Sequence, residues 1–231
     1  MKKLVILTGA GMSAESGIST FRDSNGLWEN HDIMEVASPE GWKNNPALVL
    51  EFYNKRRAQL KEVTPNEGHL ILAELENYFD VQIITQNVDN LHERAGSTNV
   101  IHLHVELTKV RGEHSVNESI FWEDDVQLGQ KNDKGEQLRP DIVWFGEAVP
   151  KFEEAVVMAA KADFMLIIGT SLQVYPAASL MEYPKANVPI VYIDKNPAIE
   201  EDDENRIHIM PYTATEGLAI LKDKLIQIAL S

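Results

Sequence analysis

Five short aliphatic runs set the strongest limit on what this chain can fold into. They are Leu4–Leu7, Val81–Thr85, Val100–His104, Phe164–Ile168 and Ile190–Ile193. Runs of this length, rich in Val, Ile and Leu, suit strands covered on both faces of a parallel sheet. Helical patterns lie between them. Thr64-Pro65-Asn66-Glu67 predicts a helix start with Thr64 as N-cap, Pro65 at the first helical position and Glu67 at the third, with Leu72, Leu75 and Phe79 on one face behind it. Thr213-Ala214-Thr215-Glu216 predicts a second capping box, followed by the stripe Leu218, Leu221, Leu225 and Ile228. Strands alternating with helices predict an α/β fold with a doubly wound parallel sheet.

Two stretches break this rhythm. Residues 25–63 hold a helical pattern from Pro46 to Leu60 but no evident strand, and residues 110–140 are polar and irregular around Lys131-Asn132-Asp133-Lys134-Gly135. Both are long enough to be insertions that together form a smaller lobe. The chain has 231 residues, 21 Lys and Arg against 36 Asp and Glu, a net charge of −15 and no cysteine. Such acidity argues against nucleic acid or an anionic membrane as partner and suits a basic polypeptide. The missing cysteine rules out a disulfide framework, a cysteine nucleophile and a cysteine zinc site. Met1-Lys2-Lys3 precedes only four apolar residues, too few for a secretory signal, and no run is long enough to span a membrane. The expected compartment is the cytoplasm. The acidic run Glu200–Glu204 reads as a solvated loop.

The densest chemistry lies at the ends of the predicted strands, where open α/β sheets bind ligands. Thr8-Gly9-Ala10-Gly11-Met12-Ser13-Ala14-Glu15-Ser16-Gly17 follows the first run and opens a predicted helix. Its glycines would let backbone approach a phosphate, and the helix start would offer free N–H donors; ordinary turn chemistry is the alternative. The glycine spacing is neither the dinucleotide fingerprint nor a Walker loop. Phe21-Arg22 then reads either as a cover for a dinucleotide or as a core aromatic beside a surface arginine. Thr85-Gln86-Asn87-Val88-Asp89-Asn90 ends the second run with amides and a carboxylate suited to hydroxyls and a carboxamide, or to capping the helix that starts near Leu91. Ile101-His102-Leu103-His104 places both histidines on one face of a strand, as a general base, a metal pair or structural side chains. Gly169-Thr170-Ser171 and Asp194-Lys195-Asn196 end two further strands. Each is weak alone; four strand ends facing one crevice carry the ligand-site reading.

In combination these motifs resemble the sirtuins. Gly9-Ala10-Gly11-Met12-Ser13, Gly17-Ile18 with Phe21-Arg22, Gln86-Asn87-Val88-Asp89, His102-Leu103-His104, Val143-Trp144-Phe145-Gly146-Glu147 and Gly169-Thr170-Ser171 occur in that family's order, from Leu4 to the last helix. The resemblance implies a Rossmann-type NAD-binding domain over residues 1–24, 64–109 and 141–231, and a small lobe over 25–63 and 110–140. It implies an NAD-dependent protein-lysine deacylase that consumes NAD as co-substrate and releases nicotinamide and O-acyl-ADP-ribose. His104 matches the catalytic base, and Asn87 and Asp89 the residues that order the nicotinamide ribose and carboxamide. Gly9, Ala10, Gly11, Ser13, Ile18, Phe21, Arg22, Gln86, Val88, Gly169, Thr170, Ser171, Asp194, Lys195, Asn196 and Ala214 match further cofactor contacts. The strand Val143–Glu147, through Val143, Phe145, Gly146 and Glu147, and the strand Leu172–Tyr175, through Val174, look like the pair between which an acyl-lysine peptide inserts.

Tyr53 and Arg56, three apart on the Pro46–Leu60 helix, and Ala37 upstream resemble the branch that removes negatively charged acyl groups. A guanidinium binds a terminal carboxylate bidentately, a phenol adds a hydrogen bond, and a small residue at 37 leaves room. Pairing of Arg56 with Glu51 is the plain alternative. Two departures from the family stand out. Its four zinc cysteines are absent, so no zinc is expected. Val105 follows His104 where the family has glycine, and a positive φ there would strain a β-branched residue. An ADP-ribosyltransferase on the same fold, and a non-catalytic NAD or ADP-ribose sensor, are the rival functions. A monomer is the expected state.

Overall fold

The computed structural model describes residues 1–19, 27, 28, 31–200 and 206–231. Its strands are β1 (Lys3–Thr8), β2 (Leu27–Trp28), β3 (His31–Asp32), β4 (Asp80–Thr85), β5 (Val100–His102), β6 (Val105–Gly112), β7 (Ile120–Phe121), β8 (Leu138–Ile142), β9 (Phe164–Ile168), β10 (Ile190–Ile193) and β11 (Ile207–Met210). Its α-helices are α1 (Gly11–Ala14), α2 (Ile33–Val36), α3 (Pro39–Asn44), α4 (Pro46–Glu62), α5 (Glu67–Leu75), α6 (Leu91–Ala95), α7 (Phe152–Ala159) and α8 (Ala214–Leu230). The chain divides into two compact units. The first comprises residues 1–17, 64–103 and 150–231, and the second residues 18–63 and 104–149.

In the first unit six parallel strands run in the order β11-β10-β9-β1-β4-β5. Both faces of β1 are covered, so Leu4, Val5, Ile6 and Leu7 are all wholly buried. This is the doubly wound parallel sheet that the aliphatic runs predict, and the Rossmann-type arrangement that the resemblance implies. One core joins Leu4, Ile6 and Ile83 to Leu72 and Leu75 of α5 and to Leu218, Leu221 and Leu225 of α8. Each such side chain contributes about 1.5–3 kcal/mol by leaving water. The Thr213–Glu216 box forms as read, with the Thr213 side chain accepting from Glu216 N. The first helix start is corrected: α5 begins at Glu67, its N-cap is Asn66, and His69 rather than Glu67 closes the box. The strand at Val100 ends at His102, not His104; Leu103 N still donates to Thr85 O, but the chain turns there. β11 was not foreseen, because Ile-His-Ile-Met alternates like a surface edge.

In the second unit the polar stretch 110–140 is not irregular throughout. β7-β6-β8 form an antiparallel sheet whose core is Leu50, Val110, Val126 and Leu138, with Trp42 and Trp122 against it. Residues 25–63 carry the short antiparallel pair β2–β3 as well as α4. Arg57, one position beyond Arg56, is buried; it ties α4 to Leu107 O and Asp124 O at 2.9 and 3.2 Å and is braced within the helix by Asn54 Oδ1 at 2.8 Å. The loop before β8 is knotted by Glu136, whose carboxylate accepts from Ser115 Oγ at 2.6 Å and Asn132 Nδ2 at 3.1 Å. Neither 143–147 nor 172–175 is a strand here. Glu147 N donates to Trp144 O and Gly146 takes φ +90°, which folds the first segment into a turn. In the second, Leu172 takes φ +54°, and Ala178 N donates to Val174 O to begin a 3-10 helix at Ala177.

Candidate active site

The strand order reverses at β1, whose neighbours are β4 and β9. Chains leaving β1 and β9 at that point meet through glycine. Gly9 N donates to Ile168 O at 3.0 Å and Gly11 N to Gly169 O at 2.8 Å. A Cβ on Gly9 would lie 2.7 Å from Gly169 O, and one on Gly169 only 2.4 Å from Met12 N; Gly169 also takes φ +62°. Close backbone packing, rather than open space, therefore demands these glycines. The expectation of free helix-start donors is corrected. α1 is a single turn, Met12 N and Ser13 N are used by Gly9 O and Ala10 O, and Gly9 N and Gly11 N are used by β9 and its turn.

What this junction does expose to chemistry is a buried polar relay. Asn87 Nδ2 donates to Ser13 Oγ at 3.0 Å, and Ser13 Oγ donates to Asp89 Oδ2 at 2.9 Å. Asp89 Oδ1 accepts from Leu91 N at 3.1 Å, so it, not Asn90, serves the start of α6. Asn87 N is anchored on Thr85 Oγ1 at 3.0 Å. Burial pushes the Asp89 carboxyl above its ordinary range, against the pull of Leu91 N, Ser13 and nearby His102. Gln86 Nε2 reaches Thr170 Oγ1 at 3.0 Å and links the β4 end to the β9 end. Val88 is half-buried beside them.

The β10 end is less committed to a ligand by its own geometry. Asp194 is buried and its Oδ1 accepts from Asn196 N at 2.8 Å, a turn bond, while Lys195 and Asn196 are exposed. Ala214 opens α8 beneath the Thr213 cap. Ser171 and Val174 are half-buried in the turn after β9. The structure thus brings Gly9, Ala10, Gly11, Ser13, Gln86, Asn87, Asp89, Gly169 and Thr170 together directly. Among the buried side-chain atoms that lack a hydrogen-bond partner among the described residues, Ser16 Oγ and Asn90 Oδ1 belong to the strand-end motifs. An unpartnered hydroxyl and an unpartnered amide oxygen are costly unless something meets them, and the hydroxyls and carboxamide of NAD fit that requirement. Both residues lie inside the quoted motifs, but only their burial singles them out.

Phe21 and Arg22 lie outside the described residues, and Ile18, half-buried, belongs to the second unit. His104 also belongs to that unit. Its carbonyl accepts from Val143 N at 3.2 Å, and Val105 pairs with Ile142. Val105 takes φ +63°, the left-handed conformation suspected from the sequence. Tyr53 is wholly buried; its phenol oxygen accepts from Trp144 Nε1 at 3.0 Å, and burial raises its pKa far beyond the ordinary phenol range, so it stays protonated. Ala37, also buried, accepts from Phe145 N at 3.0 Å. Arg56 lies over the Phe52 ring, 5.1 Å from its centroid, and Glu51 is engaged by Lys55 at 2.6 Å. Phe145 and Gly146 are exposed. Glu147, expected as a substrate contact, has its side chain engaged within the second unit. Its carboxylate accepts from Arg139 at 2.9 and 3.2 Å, from Arg111 at 3.4 Å and from Trp144 N at 2.8 Å, while Arg139 stacks 3.3 Å above the Trp144 ring. Those bonds hold the Glu147 carboxyl below its ordinary range despite burial.

The sequence model of the Sir2 family matches residues 9–176. The chain belongs to the Sir2 family. It is 56% identical to the NAD-dependent protein deacylase of Helicobacter pylori over 99% of this chain and 100% of that one. It is 54% identical to the protein of the same name from Bacteroides thetaiotaomicron, over 98% and 99%. Among solved Sir2 structures, a Sir2 homologue in complex with NAD superposes with a TM-score of 0.85 at 39% identity, covering 100% of this chain and 91% of that one. Sir2 bound to an acetylated peptide gives 0.80 at 29% identity, over 96% and 93%. The chain has no cysteine, and among the described residues no three His, Cys, Asp or Glu side chains are grouped to hold a metal. No helix among them is long and apolar enough to cross a membrane.

Proposed function

We infer that this Sir2-family protein is an NAD-dependent protein deacylase acting on acyl-lysine, and that it prefers succinyl and malonyl to acetyl groups. The activity class is supported by relatives so named that match over essentially the whole chain. When bound, NAD supplies the ribose carbon that loses nicotinamide and receives the acyl oxygen. Asn87 and Asp89, fixed by Ser13, orient the nicotinamide ribose and carboxamide. Ser16 Oγ and Asn90 Oδ1, buried without a partner among the described residues, offer a hydroxyl and an acceptor to the same cofactor. His104 takes a proton from a ribose hydroxyl, a task suited to an imidazole near neutral pH. Phe21 covers the reacting centre and Arg22 meets the phosphates. Gly169, Thr170, Ser171, Asp194, Lys195, Asn196 and Ala214 contact the phosphates and the adenosine ribose. Val143, Phe145 and Gly146, with Val174, receive the peptide main chain, whereas the Glu147 side chain holds its own turn.

The observation that carries the acyl preference is the pairing on α4. Arg56 stands one helical turn from Tyr53, whose phenol is kept neutral by burial and aimed by Trp144. A guanidinium and a phenolic O–H at that spacing suit a terminal carboxylate. The test is mass spectrometry on acetyl-, succinyl- and malonyl-lysine forms of one peptide with NAD, for the wild type, Arg56→Met and His104→Ala. Faster succinyl or malonyl loss that collapses in Arg56→Met, with acetyl loss retained, is the expected result. Acetyl loss alone in the wild type would refute the preference; a gain of ADP-ribose mass with no acyl loss would refute the deacylase.

A further inference from the structure

One histidine of the sequence motif is absorbed by none of this. His102 ends β5 in the first unit with its side chain 7% exposed. Its Nδ1 lies 3.1 Å from the main-chain oxygen of Asn87, and its Nε2 lies 2.7 Å from Glu93 Oε1 on α6. A carbonyl oxygen and an ionised carboxylate only accept hydrogen bonds. A neutral imidazole has one N–H, so it would turn a lone pair towards one of these oxygens. The charged ring, with two N–H groups, satisfies both, and the charge-assisted bond to Glu93 is the short one.

We propose that His102 is a positioning residue for NAD: an imidazolium clamped between Glu93 and the Asn87 carbonyl, it fixes the loop that carries Asn87 and Asp89. The proposal rests on the roles given above to those two residues. Their side chains are already linked through Ser13, so a grip on the Asn87 main chain sets the whole relay. The charged groups around the ring are Glu93 on α6 and Asp89 on the loop after β4; His92, also on α6, is held neutral by burial. The positive ring favours ionised Asp89 and disfavours charge on His92. Loss of the ring proton at alkaline pH would remove one arm of the clamp and leave the Glu93 carboxylate uncompensated.

Two readouts test this. The first needs no turnover. Nitrogen chemical shifts in ¹⁵N-histidine-labelled protein should show both nitrogens of His102 protonated at pH 7.5, and Glu93→Gln should lower its titration midpoint by about one pH unit or more. The second is steady-state kinetics with an acyl-lysine peptide. His102→Ala should raise the KM for NAD about tenfold, leave the peptide KM unchanged and respond less to alkaline pH than the wild type. His102→Gln, which keeps one donor, should recover part of the loss. A His102 ring neutral at pH 7.5, a midpoint unmoved by Glu93→Gln, or an unchanged NAD KM in a folded His102→Ala would each overturn the proposal. If Asn87→Ala kept full activity, the role given to Asn87 would fail, while the nitrogen shifts would still decide whether the clamp exists.

Discussion

Acid should unfasten the first unit through a buried histidine pair. His69 and His92 are both buried, with ring centroids 4.9 Å apart. His69 Nδ1 accepts from Asn66 N at 3.3 Å as the reciprocal arm of the α5 cap, and His92 Nε2 lies 3.1 Å from Thr8 Oγ1. Burial lowers the pKa of His69 to about 4, Glu93 opposing weakly, and lowers that of His92 well below its ordinary value. Because the folded values lie below the unfolded value of about 6.5, the unfolded chain binds protons first as pH falls. Stability is whole above pH 6.5 and is lost on the way down towards pH 4. For His69 the full loss is roughly 3 kcal/mol, and about 2 kcal/mol has gone by pH 5. Urea unfolding followed by circular dichroism at pH 7.5, 6.5, 5.5 and 5.0 reads this directly. His69→Gln removes the titration and keeps an acceptor at the third helical position, where glutamine closes capping boxes. It should start less stable at pH 7.5, for want of ring packing, yet lose about 2 kcal/mol less than the wild type by pH 5. Carboxylates held low, such as Glu147, begin to contribute only below that window and are common to both chains. Equal losses in the two proteins would refute the reasoning.

Two further outcomes follow from backbone geometry. Val105→Gly relieves a β-branched residue at φ +63°, which costs on the order of 1–3 kcal/mol, against the greater freedom of an unfolded glycine. A net gain of about 1 kcal/mol, or 2–4 °C in Tm, is expected by differential scanning calorimetry; a lower Tm would show that the Val105 side chain contributes more packing than its backbone stores strain. Gly169→Ala drives a Cβ to within 2.4 Å of Met12 N at positive φ. It should destabilise the protein by about 2–4 kcal/mol and weaken NAD binding about tenfold or more in a calorimetric titration; wild-type affinity would show that the β1–β9 junction does not shape the cofactor site.

Aliphatic runs made the central sheet legible, because β1, β9 and β10 are buried on both faces and leave no polar positions to confuse the pattern. Residues 110–140 were illegible for the opposite reason. Their strands are short, β7 is exposed, and the sheet is tied by charges that sequence reading assigns to solvent: Arg111 with Asp141 at 3.2 Å, and Arg139 with Glu147. Asn66 lost its place as cap to Thr64 because a histidine closing the box falls outside the usual pattern. The site motifs were found because each strand end gathers polar residues. The consumption of the Gly9 and Gly11 N–H groups by the turn itself, and the clamp on His102, depend on distances across the sheet that spacing along the chain does not contain.

Connectivity has its own consequence. The chain changes unit at residues 17/18, 63/64, 103/104 and 149/150, so neither unit is a continuous piece of sequence. β1 precedes the other strands of its sheet in sequence but pairs with β4, from Asp80, and with β9, from Phe164. The second edge of β1 therefore stays open until most of the polypeptide is made, and contacts so distant in sequence slow folding. A truncation before Phe164 leaves one edge of β1 open to other chains. Fragments cut at any single loop would thus carry incomplete portions of one unit or both, and production of a stable half-protein would require at least one new join between segments that the gene keeps apart.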